Sequence, residues 1–160
     1  GPLINAEGDP VGRYRERGLP EAILEYAADH ELELSTLASA EAQVAAISDD
    51  IAYNAHDIDD GLRAGLFRLI DLGDVPLAGS ALASVLKRYP NLDQDRIVHE
   101  TVRRVMSQMV EDVIMESRRR AEKLKPGSAA EVRALGEWLV CFGAQMKENN
   151  RVLQSFLNER

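Results

Sequence analysis

Apolar residues recur three and four positions apart through most of the chain, the spacing that gathers them on one side of an α-helix. The longest such stripe joins Val44, Ile47, Ile51, Ala55, Ile58, Leu62, Leu66 and Leu69. It predicts a helix of roughly eight turns starting at Ser39, whose hydroxyl, with Glu41 close behind, suits a helix N-terminus. "DLGDVP" at residues 71–76 interrupts this pattern, and a shorter helix is expected from there to about Tyr89, ending at "YPNLD".

A second long helix is expected from about Asp93 to Lys125. Its apolar positions include Ile97, Val98, Val102, Val105, Met106, Met109, Val110, Val113 and Ile114, and "KPGSAA" supplies the stop. Two further helices are expected near 131–137 and 144–158. Before them all, residues 1–19 are rich in glycine, proline and charge, and read as an irregular arm that must lean on something else to be ordered. Pro20 then suits the first turn of a short helix through about Asp29. No fixed-period repeat or strand-like alternation stands out, so the expected fold class is all-α, with two long helices and a single helical domain over residues 20–160.

Composition agrees: 45% of the 160 residues are hydrophobic and only 5% aromatic, the mixture that packed helices use. The formal net charge of -8 is uneven, because most of the acidic side chains precede residue 100. A cation or a basic partner suits that part. The later cluster Arg118, Arg119, Arg120, Lys123 and Lys125 lacks the aromatics that would stack bases and reads as a helix C-terminal turn, so nucleic acid is not indicated. Cys141 is the only cysteine and sits in the apolar run "WLVCFG", which excludes a disulfide within one chain and points to a buried thiol in a reducing compartment. No stretch approaches the length of a membrane span, and the beginning lacks signal-peptide order, so a soluble cytoplasmic protein is expected.

The chemistry concentrates in "SDDIAYNAHDIDDG" at residues 48–61, which places five aspartates, a tyrosine and a histidine in the middle of the first long helix. At 100° per residue Asp49, Tyr53, Asp57 and Asp60 share a narrow sector opposite the apolar stripe. Such a face ordinarily meets water. Three details favour a functional face instead. Aspartate is a poorer helix former than glutamate, so its repeated use inside a helix has a cost that function would explain. Asp49 and Asp57 flank Tyr53 at i−4 and i+4, an alignment suited to a cation and a hydroxylated ligand. Ala45, Ala46 and Ala52 also keep the nearby surface low.

His56-Asp57 does not form a metal pair by position, since adjacent helical residues point about 100° apart. His30 and His99 offer no ligand spacing with it, and a lone histidine is more often structural. There is no glycine-rich phosphate loop, GxSxG elbow or HExxH motif.

The stretch "ASAEAQVAAISDDIAYNAHDIDDGLRAGLF" at residues 38–67 resembles the deoxyguanosinetriphosphate triphosphohydrolase-like family of the HD-domain superfamily. The likeness extends to "GPL" at the start, "GRYRERGLPEAI" at 12–23, "MVEDVIMES" at 109–117 and "EVRALGEWLV" at 131–140. It implies a portion of an HD-domain-like helical bundle. It also implies hydrolysis of deoxynucleoside triphosphates to deoxynucleoside and triphosphate, with a divalent metal, Mn or Mg, held by two histidines and two aspartates. By this resemblance Asp49 is the last metal aspartate, and Tyr53 and Asp57 contact the substrate sugar. Asp50, Asp59 and Asp60 are then supporting or surface acids.

The family's first metal histidine and its His-Asp pair belong to helices upstream of this region, so the catalytic residues are unknown here. The chain is expected to be a fragment, inactive alone and without a bound metal. It is also expected to self-associate as a homo-oligomer through apolar faces left uncovered. The rival expectation is a non-catalytic helical interaction module on the same scaffold.

Overall fold

The computed structural model describes residues 2–159. Gly1, which begins the expected arm and the "GPL" motif, and Arg160, which ends the expected helical domain, lie outside the described residues. Among the described residues six α-helices follow one another: α1 (Glu21–Asp29), α2 (Ala40–Ala64), α3 (Pro76–Arg88), α4 (Gln94–Leu124), α5 (Ala129–Arg133) and α6 (Ala144–Asn158). The all-α class and its two long helices are as the periodicity predicts. Among the described residues no strand forms, and the one β-bridge joins Ile4 to Pro10.

The helix ends follow local chemistry. Ser39 Oγ accepts the Ala42 N–H at the start of α2, and Asp93 Oδ1 accepts the Arg96 N–H at the start of α4. Pro76 opens α3, where its missing N–H costs nothing. The expected helix over Leu66 and Leu69 stops earlier, at Ala64. Gly65 adopts φ +72°, its N–H reaches Leu62 O, and the Leu66 N–H reaches Gly61 O, a glycine-based C-terminal cap that turns the chain before the stripe is exhausted. Leu69 then lies in a 3-10 turn, Leu69–Leu72. Likewise α5 ends at Arg133 instead of 137, and Gly136 at φ +71° leads into a non-helical Trp138–Phe142 segment.

The chain divides into two compact units. One comprises the residues up to Gln43 together with Arg120–Leu139. In it the irregular arm does lean on a neighbour, since Leu3 N–H donates to Leu34 O at 2.8 Å. Gln43 is 2% exposed and spends its amide on two backbones, donating to Ala38 O at 2.8 Å and accepting from Leu139 N–H at 3.0 Å. Arg120 donates to Glu137 and to Trp138 O.

The other unit comprises Val44–Arg119 and the residues from Val140 onward. Ile51 and Ile58 of α2, Leu77, Ala78, Ala81 and Leu82 of α3, Val105, Met109 and Val113 of α4, and Met146 and Leu153 of α6 make its core. Phe67 meets Phe156 edge to face at 5.1 Å. Gly143 N–H, at the start of α6, donates to the Asp112 carboxylate at 2.8 Å, an acid placed where the helix dipole favours it. This packing holds α2 by its apolar side and leaves the other side open.

Candidate functional site

The open side of α2 carries the acidic face. Asp49, Tyr53, Asp57 and Asp60 are exposed, while Ile51, Asn54, Ala55 and Ile58 between them are buried. Tyr53 is 64% exposed, with a carboxylate one turn before it and another one turn after. Residues four apart on a helix have their Cβ atoms about 5–6 Å apart, so the three side chains form one continuous edge. A phenol between two carboxylates offers a ring face for a sugar, a hydroxyl that both donates and accepts, and oxygens for ligand hydroxyls or a hard cation.

The remaining acids of the stretch are placed differently. Asp59 accepts from Arg63 Nε at 2.6 Å, an i,i+4 ion pair on the flank of the helix. The Arg63 guanidinium is thereby held more firmly protonated, chiefly by that hydrogen bond. Asp50 is exposed three residues before Tyr53.

The three histidines do not converge on this edge. His30 stacks on Tyr26 with ring centroids 4.1 Å apart, His56 is exposed on α2, and His99 belongs to α4. Among the described residues no group of three or more His, Cys, Asp or Glu side chains is arranged to hold a metal ion. Asp49 is chemically suited to be one oxygen ligand of Mg or Mn, but the described residues do not assemble a complete site around it. Cys141 is buried, as its apolar run predicts.

A feature with no counterpart in the sequence reading is a cavity of about 490 Å³ where the end of α2 faces the start of α4. It is lined by Arg63, Tyr89, Leu92, Asp95, Arg96, His99 and Glu100. Its wall comes from segments well separated in sequence, so no local motif announces it.

No helix among the described residues is long and apolar enough to cross a membrane. No protein-family model matches the chain. Individual relatives do. The chain is 54% identical over 142 residues to a deoxyguanosinetriphosphate triphosphohydrolase-like protein of Parvibaculum lavamentivorans, covering 89% of the chain and 36% of that relative. It is 47% identical over 157 residues to a protein of the same name from Azorhizobium caulinodans, covering 98% of the chain and 39% of the relative. With the Brucella ovis protein of that name the identity is 50% over 157 residues, covering 98% and 38%. The chain thus spans about two-fifths of the length of the curated relatives it matches. Identity at this level along nearly the whole chain makes it a homologue of the deoxyguanosinetriphosphate triphosphohydrolase-like proteins over the part of their length that it matches.

Proposed function

We propose that this chain is the sugar-reading portion of a metal-dependent deoxynucleoside triphosphate triphosphohydrolase, a cytoplasmic enzyme of the HD-domain type, and that it contributes one metal ligand. The observation that carries the reading is the exposed Asp49–Tyr53–Asp57 edge on an otherwise well-packed helix. The names of the relatives point the same way.

In this reading Tyr53 lays its ring against the deoxyribose, and Asp57 accepts a hydrogen bond from the 3′-hydroxyl. Asp49 presents its carboxylate to a divalent metal, Mg or Mn. When bound, such a metal polarises phosphoryl oxygens and makes water a better nucleophile. Tyr53 and Asp57 fix the sugar end of the substrate relative to Asp49, so that the α-phosphate is presented in one orientation, and that positioning is itself catalytic. The remaining metal ligands and the general acid or base are assigned to other parts of the complete enzyme, and the isolated chain is inactive.

The test is a chimera in which this chain replaces the aligned segment of the Brucella ovis relative, assayed by phosphorus NMR with dGTP and Mn, with chelation of the metal as a control. Triphosphate release that disappears with Asp49→Ala supports the proposal. Release that survives that substitution overturns the ligand assignment, and a folded chimera without release overturns the enzymatic reading.

A second reading has its own support. On α4, Met106, Val110 and Ile114 follow one another at four-residue spacing and stay 38%, 43% and 44% exposed, an apolar stripe on a charged helix. As a non-catalytic interaction module, the chain would use that stripe to bind a second copy of itself, giving the homo-oligomer. The same stripe also serves an oligomeric enzyme, so the chimera assay, not self-association, separates the two readings.

A further inference from the structure

The turn formed by "GRYRERG" at residues 12–18 carries Arg13, Arg15 and Arg17 in a chain whose net charge is -8. Its backbone is tied down at several points. Val11 N–H donates to Leu3 O at 3.0 Å, Arg15 N–H to Gly12 O at 3.2 Å and Gly18 N–H to Tyr14 O at 2.9 Å. The last of these bonds spans four residues, as in one turn of α-helix, where positions four apart share a side. Arg13 and Arg17 are such a pair. Together with Tyr14, Gly18, Leu19 and Pro20 they line a cavity of about 410 Å³, within the usual range of small-molecule sites. All six belong to the first compact unit, and Arg15, between the pair in sequence, does not line the cavity.

The two arginines differ from most others in the chain. Arg63, Arg68, Arg96, Arg103, Arg119 and Arg151 each hold a carboxylate three or four residues away. Among the described residues neither Arg13 nor Arg17 meets a carboxylate. Arg13 instead turns to Tyr14: Nη2 donates to the phenol oxygen at 2.7 Å, and the guanidinium carbon lies 4.8 Å from the ring centroid. With its oxygen accepting from Arg13, the Tyr14 hydroxyl has its own proton to donate. A guanidinium donates through five N–H groups and accepts nothing, so the side chains of this lining supply donors and two positive charges without an ionised acceptor.

Such a lining suits an anion rich in acceptor oxygens, and the planar fork of arginine matches phosphate oxygens two at a time. Orthophosphate fills a small part of the space, whereas a chain of two or three phosphates carries enough charge for both guanidiniums. A nucleic-acid strand needs a longer basic track with successive rings to stack on. Here the acids Glu16 and Glu21 stand close by in sequence, and Tyr14 is the one ring in the lining.

We propose that this cavity binds an oligophosphate chain, free or as the tail of a nucleotide, with Arg13 and Arg17 gripping the phosphate oxygens and Tyr14 donating its hydroxyl proton. The inference is independent of the reading of α2, since it needs neither Asp49 nor a metal.

The experiment is titration of the 15N-labelled chain, followed by amide chemical shifts, in metal-free buffer at constant ionic strength. No metal on α2 can then hold the phosphates, and screening stays fixed. The probes are sodium triphosphate, orthophosphate, dGTP and a short oligothymidylate. Triphosphate should move the amides of residues 12–20 and bind at least about tenfold more tightly than orthophosphate. Arg13→Gln and Arg17→Gln should each weaken it about tenfold, and Arg15→Gln by less than about threefold. Both cavity arginines are exposed, and circular dichroism verifies that the variants keep their helices. The affinity of dGTP relative to triphosphate names the source: tighter binding on the same amides assigns the site to nucleotides, and equal or weaker binding to the phosphate chain alone, either result upholding the phosphate chemistry. Equal weakening by Arg15→Gln and Arg17→Gln would mean diffuse attraction to a basic turn and overturns the proposal, as does a triphosphate titration that leaves residues 12–20 unmoved. Oligothymidylate that binds more tightly than triphosphate through Arg13 and Arg17 makes the turn a nucleic-acid contact, which also overturns it.

Discussion

Asn54 Nδ2 donates to Asn150 Oδ1 at 2.7 Å, tying the middle of α2 to α6 across 96 positions of sequence. Asn54 is 2% exposed and lies one residue after Tyr53, so the bond fixes the rotation of α2 at the point where the acidic edge leaves the surface. Asn54→Leu removes the bond and strands the Asn150 amide, which costs about 1–3 kcal/mol. Thermal unfolding should show a melting point lower by about 2–4 °C for each kcal/mol lost. Replacing both asparagines with leucine should recover part of the loss, because no amide is then left unpaired. Equal melting points for the single variant and the native chain would mean that the pair contributes nothing.

Gly79 marks the closest backbone approach in the same unit. A Cβ there would meet the Gly73 carbonyl, with Leu72 O also only 2.9 Å away. Backbone atoms cannot swing aside as a long side chain can, so Gly79→Ala should force α3 away from the preceding turn. The expected loss is about 1–3 kcal/mol, against the gain in helix propensity of nearly 1 kcal/mol that alanine ordinarily brings. Urea denaturation decides it: a midpoint at or above that of the native chain would show that the turn yields freely.

Three glutamates should respond unusually to acid. Glu100 is held below the ordinary 4.5 chiefly by its hydrogen bond with Arg103, Glu148 chiefly by that with Arg151, and Glu41 chiefly by its own backbone amide and then by Ser39. A lowered folded-state value means that the unfolded chain binds protons more readily. The stabilisation is therefore complete above the ordinary value and is lost as the pH falls through the lower folded one. Carboxyl 13C titration should show these three groups changing charge at lower pH than ordinary glutamates. Arg103→Gln should return Glu100 toward 4.5 while leaving Glu148 where it is.

Helical periodicity made much of this architecture legible. The order of Asp49, Tyr53 and Asp57 along one edge follows from four-residue spacing alone, and the packing of Ile51, Ala55 and Ile58 agrees with the opposing stripe. The end of α2 was harder to read, because Leu66 continues the stripe in sequence yet is 57% exposed, the Gly65 cap having already turned the backbone. On α4 the nine apolar positions read as one set separate, with Ile97 and Val102 half-buried between two groups. Val98, Val105, Met109 and Val113 are buried, while Met106, Val110 and Ile114 form an outer stripe. Residue type does not distinguish the two; only packing partners do. Gln43 and Asn54 escape a hydrophobic pattern for a similar reason, since their burial depends on partners 96 positions away. The cavity was invisible because Arg63 and the 89–100 segment meet only after α3 has folded back between them.

The outer stripe of α4 gives a prediction about association. Val110 is at its centre, and a lysine there would have to be desolvated if the stripe packs against a second copy. Sedimentation velocity should show concentration-dependent association of the native chain, and Val110→Lys should shift it to monomer with its melting point nearly unchanged. A native chain that stays monomeric at several hundred micromolar would remove the self-association proposal.

Asp49 and Asp59 provide the sharpest test of the reading of α2, because both are acids of one helix, yet Asp49 lies about 40° and Asp59 about 120° in azimuth from Tyr53. Asp59 already spends its charge on Arg63, and an exposed i,i+4 pair of that kind contributes only about 0.3–0.5 kcal/mol. Asp49 stands on the edge with Tyr53 and Asp57, where the proposal gives its carboxylate a metal. In a chimera active in triphosphate release, Asp49→Ala should therefore lower turnover on the order of a hundredfold or more, the scale of losing several kcal/mol of transition-state stabilisation. Asp59→Ala should change turnover by less than about threefold, since it removes only an exposed pair with Arg63 that lies away from the edge. Raising the metal concentration should recover activity in neither case if Asp49 is a direct ligand whose loss misplaces the ion. Equal losses from the two substitutions would show that the chemistry does not follow the azimuth of the helix, and that the edge built by Asp49, Tyr53 and Asp57 is a solvated surface.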